Sequence, residues 1–289
     1  MNRIKIEHYV PQFYLRNFAI KKKRNQVIYC YDKFEERCFN TNIKNVGCEK
    51  NFYNSMVDDQ QIIEKTLGRL ERRFSKAYNK LITIRDISSL DDETKCTISF
   101  FVAQQYIRTR EYRHFMKELR NSISNSLAKE FGVTDYEIRW RDEAIKNSQI
   151  FSLFNETVDI AVILLNLKWT LLINKTSIPY CTSDNPVNLY NFINHKPYRS
   201  LGFACRGINV YFPLTTDLSL RFCDPSTYFF MPSKSEIIEE QDIHFQNKLQ
   251  AVRSNRFVFS KSGDFSLIRR IIKENPSLRD LNRKRISIH

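Results

Sequence analysis

The sequence predicts an α+β fold in which a helical middle packs with antiparallel β elements from the N- and C-terminal parts. Hydrophobic residues recur at helical spacing over about 55–165, and short β-rich segments lie on both sides of that stretch. The length of 289 residues fits one large domain. We expect one domain over 1–289, with a helical subregion at about 55–165 and a basic C-terminal tail at about 266–289. The alternative is a helical middle domain clasped by the two β parts.

The N-terminal part is expected to hold a short helix followed by a hairpin. Aromatic residues recur at helical spacing after Pro11, a residue that suits the first position of a helix. Residues 26–31 (QVIYCY) alternate and favour a strand, and 37–42 (RCFNTN) form the returning strand.

Four helices are expected in the middle of the chain. They cover 58–82, about 91–131, about 134–147 and about 153–165. Asp58 and Asp59 can cap the first helix, because short acidic side chains accept hydrogen bonds from free helical N–H groups. Acidic residues follow Asp91 in the first turn of the second helix, which is typical of a helix start.

The C-terminal part returns to strands. We expect 168–174 to pair antiparallel with a strand in 177–190, 209–213 to pair with 219–223, a helix over 236–252, and a last strand at 256–260. The terminal β pieces are expected to share a sheet. The tail from Ser266 carries seven Lys and Arg against two acids, and its alternative interpretation is a solvated helix end that frays.

Composition narrows the class of protein. The net charge of +14 favours a polyanionic partner such as RNA or DNA, although a basic pI also arises from solubility or an AT-rich genome. The chain has only six glycines and contains neither GxGxxG nor GxxxxGK[ST], so the common nucleotide-binding loops are absent from the sequence.

Cysteine usage and hydropathy indicate a cytoplasmic location. The seven cysteines are odd in number, form no CxxC pair and follow no signal peptide, which favours reduced thiols. The most apolar stretch, 160–173, is shorter than the roughly 20 residues that a helix needs to cross a bilayer. We therefore expect this stretch to lie in the protein core, and we expect no membrane partner. A protein partner is a further possibility.

The segment HYVPQFYLRNF at 8–18 carries the first candidate site residues. His8 is the candidate acid–base group, because histidine titrates near neutral pH. Gln12 and Arg16 are four apart, so they share one helical face and are candidate substrate-binding residues. The structural alternative for His8 is a helix cap or a bond to a backbone carbonyl.

Two later segments carry the other candidates. Arg108 could hold a phosphate bidentately as a catalytic residue, and Gln104 lies on the same helical face. The alternative role of Arg108 is an ion pair with Glu111 or with another acid on a neighbouring helix. Asp184, at a strand end, is a candidate for catalysis or metal binding, with Asn185 as a substrate contact. An Asp-Asn-Pro run is equally turn chemistry.

The sequence does not identify a cofactor. No HxH or HExxH spacing is present, and nothing local specifies a site, but Glu64, Glu71 and Asp184 could in principle assemble one for Mg²⁺.

Four segments together resemble one bacterial family of unknown function, DUF4238. They are HYVPQFYLRNF at 8–18, FFVAQQYIRTREYR at 100–113, YCTSDNPV at 180–187 with YFPLTTDLSL at 211–220, and NRFVFS at 255–260. The resemblance implies a soluble bacterial protein, from a family sometimes found in variable or mobile gene neighbourhoods, and carries no assigned activity.

Three functions therefore stay open. The leading hypothesis is a nucleic-acid-directed protein, specifically a nuclease-like effector in a phage-defence or toxin setting. In it His8 moves protons, Arg16 and Arg108 stabilise phosphate charge, and Asp184 orients water or a metal. The alternatives are a non-catalytic protein- or RNA-binding module and an enzyme that acts on a small anionic metabolite.

Overall fold

A computed structural model describes residues 6–53, 62–132, 142–193, 201–231 and 234–285. Three features expected from the sequence lie outside these residues: the Asp58 and Asp59 cap, the first part of the helix at about 134–147, and the last four residues of the basic tail.

The described residues form an α+β fold, as predicted. The helices are α1 Gln12–Leu15, α2 Ile62–Ile84, α3 Asp92–Ile107, α4 Arg110–Glu130, α5 Asp142–Phe154, α6 Glu156–Asn166, α7 Glu240–Arg253 and α8 Ser266–Glu274. The strands are β1 Ile6–His8, β2 Ile20–Lys22, β3 Asn25–Asp32, β4 Arg37–Asn42, β5 Cys48–Lys50, β6 Lys168–Asn174, β7 Thr182–Ser183, β8 Asn188–Asn191, β9 Ile208–Thr215, β10 Leu218–Cys223, β11 Ser235–Ile238 and β12 Phe257–Ser260.

The strands form three sheets. β1 pairs with β5, and a five-stranded sheet has the order β11-β6-β10-β9-β8. The third sheet has the order β2-β3-β12-β7, with β4 also paired to β3. In it Asp32 lies opposite Phe257, so N-terminal and C-terminal β pieces share a sheet as the sequence predicted. The β3–β4 and β9–β10 pairs are antiparallel and also confirm the prediction.

The helical middle differs from the prediction at two points. The third helix was expected to end at about residue 147, but α5 continues to Phe154. The second helix was expected to continue to about residue 131, but it breaks between Arg108 and Thr109. Thr109 has extended backbone angles, and its Oγ1 accepts a hydrogen bond from the N–H of Tyr112. A side chain that accepts this bond starts a new helix, so α3 and α4 are separate and can point in different directions.

The strand pairing of 168–174 was predicted wrongly. β6 lies between antiparallel β10 and parallel β11, whereas β7 pairs with β12 and β8 pairs with β9. The pattern of residue types in 177–190 identifies strands but not their partners. The helix expected from 236 begins at Glu240 instead, after β11, with a capping box between Glu239 and Asp242.

The C-terminal tail is not a frayed helix end. α8 buries Ile268, Ile271 and Ile272, and these pack in a small apolar cluster with Tyr31 and Phe265. The tail therefore covers the outer side of the β3–β12 sheet rather than standing free in solvent.

The N-terminal helix is fixed to the centre of the fold. Tyr14 is fully buried, and its hydroxyl bonds Thr182 Oγ1 at 2.7 Å and donates to the Pro213 carbonyl at 2.8 Å. Its ring stacks on Phe212 with a centroid distance of 5.1 Å. The helix begins at Gln12, with Pro11 one position earlier than expected, in the cap.

Within the described residues, no single helix combines the length and apolarity needed to span a membrane. α5 and α6 meet those criteria only together, as a pair bent by 47°.

Candidate functional site

His8 and Arg108 belong to one polar group, which we call the Arg108 cluster: His8, Tyr53, Glu64, Glu71 and Arg108. The Arg108 side chain is 1% exposed. Its Nη1 donates to Glu71 Oε1 at 2.9 Å, its Nε donates to the Tyr53 hydroxyl at 3.0 Å, and its Nη2 donates to the His8 carbonyl. Arg108 therefore joins α2, α3 and β1, and these bonds occupy three of its five donors.

Two atoms of the Arg108 cluster are buried without a hydrogen-bond partner among the described residues: His8 Nε2 and Glu64 Oε2. A backbone contact with Lys44 and the charge of Glu71 both favour the protonated form of the His8 ring. A histidine nitrogen that is buried without a partner can accept a proton when the ring is neutral, so His8 is the candidate base of this cluster.

The environment shifts the pKa values of His8 and Glu64 in opposite directions. Burial lowers the pKa of His8, against the attraction of Glu71. Burial raises the pKa of Glu64 to about 7, with Glu7 and Glu71 adding to the rise and Arg108 opposing it. The Arg108 cluster therefore holds a histidine whose neutral form is favoured and a carboxyl that is partly protonated at neutral pH, which are the states that a base and an acid need.

Asp184 lies in a different polar group. Its Oδ1 accepts from the N–H of Asn255 at 2.8 Å, and its Oδ2 accepts from the N–H groups of Arg256 at 2.7 Å and Phe257 at 2.8 Å. The residue is 1% exposed. Burial raises the pKa of the Asp184 carboxyl, and the three N–H groups and Lys33 oppose that shift. Its oxygens hold the start of β12, which is a structural use of the carboxylate.

The α3–α4 junction connects the two groups. Arg108 belongs to the Arg108 cluster, whereas the next residue, Thr109, contacts the Asp184 segment: its Oγ1 donates to Asn185 Oδ1 at 3.3 Å. Asn185 in turn donates from Nδ2 to the Arg253 carbonyl at 2.9 Å. The sequence motifs therefore meet in space, but their polar side chains divide between two sides of this junction.

The other predicted site residues belong to neither group. Arg16 lies in the turn after α1 and is exposed, and Gln12 is half-buried. Gln104 is buried in α3, and its Oε1 has no hydrogen-bond partner among the described residues.

His8, Arg108 and Asp184 line none of three cavities that the described residues form. Asn185 lines one, beside Asn188, Tyr106 and Arg253. Sequence reasoning missed these three residues as site candidates, since Asn188 and Arg253 reach the cavity only through the strand pairing and the end of α7. Glu64 and Glu71 were considered only as metal ligands, although their spacing of seven places both on one face of α2.

No group of three or more His, Cys, Asp and Glu side chains suited to a metal ion occurs within the described ranges. Asp184, considered with Glu64 and Glu71 for Mg²⁺, has its oxygens directed at backbone N–H groups instead.

Two cations of the basic tail are buried. Arg283 donates to Glu111 Oε1 at 3.2 Å and to the Ser254 carbonyl at 2.8 Å. Arg285 Nε lies 2.9 Å from the same carboxylate oxygen. Glu111 on α4 thus fixes the tail to the body of the protein, and these two arginines are not available to a nucleic acid.

We predict that Asp184→Asn destabilises the protein by about 2–4 kcal/mol. An amide has one acceptor oxygen, so it loses at least one of three buried bonds and directs its own N–H₂ at a donor. Urea unfolding measures the loss, and the exposed Asp159→Asn on α6 is the control. A change below about 0.5 kcal/mol would show that the carboxylate does not hold β12.

We predict a stability loss in acid that depends on His114. Burial lowers its pKa to about 4 from 6.5, with Arg285, Arg283 and Arg110 adding to this and Glu111 opposing it. Between these values the unfolded state binds a proton that the folded state does not, so stability is full above pH 6.5 and falls towards pH 4. Relative to His114→Gln, wild type should lose about 1–3 kcal/mol over this range in urea unfolding. Parallel pH profiles would contradict the assignment.

Comparison with known proteins supports the resemblance seen in the motifs. No curated protein and no solved structure matches the chain. The family model described as "Protein of unknown function (DUF4238)" matches residues 7–264, which include His8, Arg108, Asp184 and the whole β3–β12 sheet. The chain therefore belongs to the DUF4238 family.

Proposed function

We propose that this protein is a nucleic-acid-directed protein of the bacterial cytoplasm that binds RNA or single-stranded DNA through the turn between β2 and β3. We call this surface the basic hairpin, residues 20–27. It presents Lys21, Lys22, Lys23 and Arg24 in succession, and all four are exposed. This is the observation that carries the proposal.

The basic hairpin has no acidic neighbour along the chain. The sequence contains no Asp or Glu between residues 8 and 31. Within the described ranges its four cations form no ion pair. Several exposed cations elsewhere are instead paired with carboxylates, as in Arg37–Glu35, Arg73–Glu93 and Lys117–Asp142. Unpaired cations that lie close together attract phosphates most strongly, because their binding releases the counterions condensed on the nucleic acid.

The strand register adds a fifth cation. β12 ends at Ser260 opposite Tyr29, and β2 begins at Ile20 opposite Val27. Both strands lie along the same side of β3, so exposed Lys261 follows β12 next to the base of the hairpin. The cationic surface is therefore built from two distant parts of the chain.

A purely structural use of these lysines is the competing explanation. β2 is an edge strand, and charged side chains, lysine above all, prevent edge strands from pairing with other molecules. The two explanations differ in one property. Edge protection needs charge but no ligand, whereas nucleic-acid binding needs an affinity that depends on these residues and on salt.

We predict that replacing the four hairpin cations by Gln weakens binding to single-stranded RNA. The slope of log affinity against log salt concentration should fall by up to about 3, because each phosphate contact on a single strand contributes about 0.7. Fluorescence anisotropy with a labelled oligonucleotide over a salt series measures both quantities.

The matched control removes the same charge from another surface. The exposed residues Lys65, Arg69, Arg72 and Lys76 follow one another along α2, on the helix that also carries Glu64 and Glu71. Replacing them by Gln should leave most of the salt slope in place. Equal losses in both variants would show a general charge effect, and no binding by wild type at low salt would favour the protein-interaction module.

A second candidate is a nuclease-like effector in a defence or toxin setting, and the unpartnered atoms of the Arg108 cluster favour it. In RNA cleavage, His8 Nε2 would take the proton of a ribose 2′-hydroxyl, whose oxygen then attacks the phosphorus. Glu64, protonated, would give its proton to the departing 5′-oxygen. Both atoms are shielded from solvent, so the side chains that cover them have to move before a substrate can enter.

We predict that, if the protein cleaves RNA, His8→Ala lowers the rate by about 10²–10⁴ with little change in unfolding temperature, as expected for a lost general base. Glu64→Gln should lower it as well. Gel-based cleavage assays with and without Mg²⁺ or Mn²⁺, normalised to folded protein, provide the measurement. Full activity per folded molecule in His8→Ala would make His8 structural.

A further inference from the structure

A cavity of about 120 Å³ opens between the α3–α4 junction, the segment that leads into β8, and the end of α7. By this measure one water needs roughly 10–15 Å³, so the cavity is large enough for a ring system. Its lining includes the aromatic side chains of Tyr106, Tyr112 and Phe115, the amides of Asn185 and Asn188, and the charged side chain of Arg253.

Asn188 supplies an unused acceptor in this cavity. It is 1% exposed, and its Nδ2 donates to the Asn185 carbonyl at 2.8 Å, which fixes the orientation of the amide. Its Oδ1 is buried and has no hydrogen-bond partner among the described residues. A buried acceptor without a partner costs about 1–3 kcal/mol. A ligand that brings an N–H group to this oxygen removes that cost, once the side chains that cover the oxygen have moved.

Aromatic side chains form the wall beside Asn188. The Tyr106 and Tyr112 rings lie 5.6 Å apart at 71°, and Phe115 lies 6.2 Å from Tyr112. Tyr112 is held by a 2.6 Å bond from its hydroxyl to Glu156, but the Tyr106 hydroxyl has no such bond to the described part of the chain. Such a wall suits a flat ring, which gains contact area and stacking on an aromatic face.

The charged side chains that line the cavity carry one net positive charge, Arg253 and Arg285 against Glu111. Glu111 binds Arg285 and also Arg283, which does not line the cavity. Arg253 lies close to Tyr106, and its charge opposes the effect of burial, which raises the pKa of the Tyr106 hydroxyl to about 12. The cavity thus combines a flat apolar wall, one free acceptor and a net positive charge.

We propose that this cavity binds the base of a nucleotide, with Asn188 Oδ1 accepting an N–H group of the base and Arg253 facing the phosphate. The base belongs either to a free nucleotide or to a strand held by the basic hairpin. The inference rests on the proposed function for its ligand class, but the site is separate: the hairpin supplies phosphate attraction along a strand, and the cavity supplies contact to one base.

Saturation-transfer NMR and calorimetry with AMP, GMP, CMP and UMP test the site, with ribose 5-phosphate and inorganic phosphate as ligands that lack a base. Nucleotides should bind wild type, and the base protons should show contacts to Tyr106 or Phe115. Asn188→Leu should weaken nucleotide binding at least tenfold. Arg253→Gln should weaken nucleotides more than the corresponding nucleosides.

The control for a lost buried amide is Asn209→Leu. Asn209 is buried in the same sheet, on β9, and lines a different cavity. It should leave nucleotide binding unchanged. Should Asn188→Leu not fold, the contacts of base protons in the wild-type protein decide the question. Absence of those contacts, or equal binding of ribose 5-phosphate and nucleotides, would overturn the proposal.

Two further comparisons separate the sources of the base and the two proposals. A short RNA that binds more tightly than its terminal mononucleotide, and loses affinity in Asn188→Leu, indicates a strand; a mononucleotide that binds as tightly indicates a free nucleotide. If nucleotides still bind after the four hairpin cations are replaced by Gln, the cavity is a nucleotide site that does not depend on the basic hairpin. Strand binding without any nucleotide binding supports the hairpin and removes the cavity.

Discussion

The three hydrogen bonds from backbone N–H groups to Asp184 are the constraint on which the arrangement of the fold depends. A buried carboxylate is tolerated only when hydrogen bonds satisfy it, so these bonds fix where β12 starts. β12 then pairs with β3 on one side and with β7 on the other. One side chain thereby brings together the N-terminal hairpin, the middle of the chain and the segment before the tail, and it sets the register on which the basic surface is built.

Elements with strong local patterns could be predicted from the sequence. α2 buries Leu67, Phe74 and Leu81 as its period indicates, and the β3–β4 and β9–β10 pairs follow from alternating residues with turns between them. Long-range pairing could not be predicted, because β6 has the same residue pattern whichever strand lies beside it. The break at Thr109 was missed because one capping hydroxyl, in a run of helical residues, separates α3 from α4.

The roles of the motif residues could not be predicted for a related reason. A buried arginine that joins structural elements and an arginine that binds phosphate have the same sequence signal, and Arg108 is engaged by Glu71, Tyr53 and the His8 carbonyl. The sequence brought attention to His8, but no pattern in it connects His8 with Glu64, which lies 56 residues away on α2 and interacts electrostatically with Arg108. The cavity at Asn188 depends on three segments that are distant in sequence.

The pairing of Asp32 with Phe257 also has a consequence for biosynthesis. The two residues are 225 positions apart, so at roughly 5–20 residues per second a ribosome needs about 11–45 seconds to deliver the second strand after the first. During that interval β3 has emerged with Tyr29–Asp32 unpaired on the side that β12 later covers, and Tyr14 has not yet met Thr182 and Pro213. The lysines of the basic hairpin lie next to this exposed edge. Their positive charges repel those of a second nascent chain, which prevents the two edges from pairing.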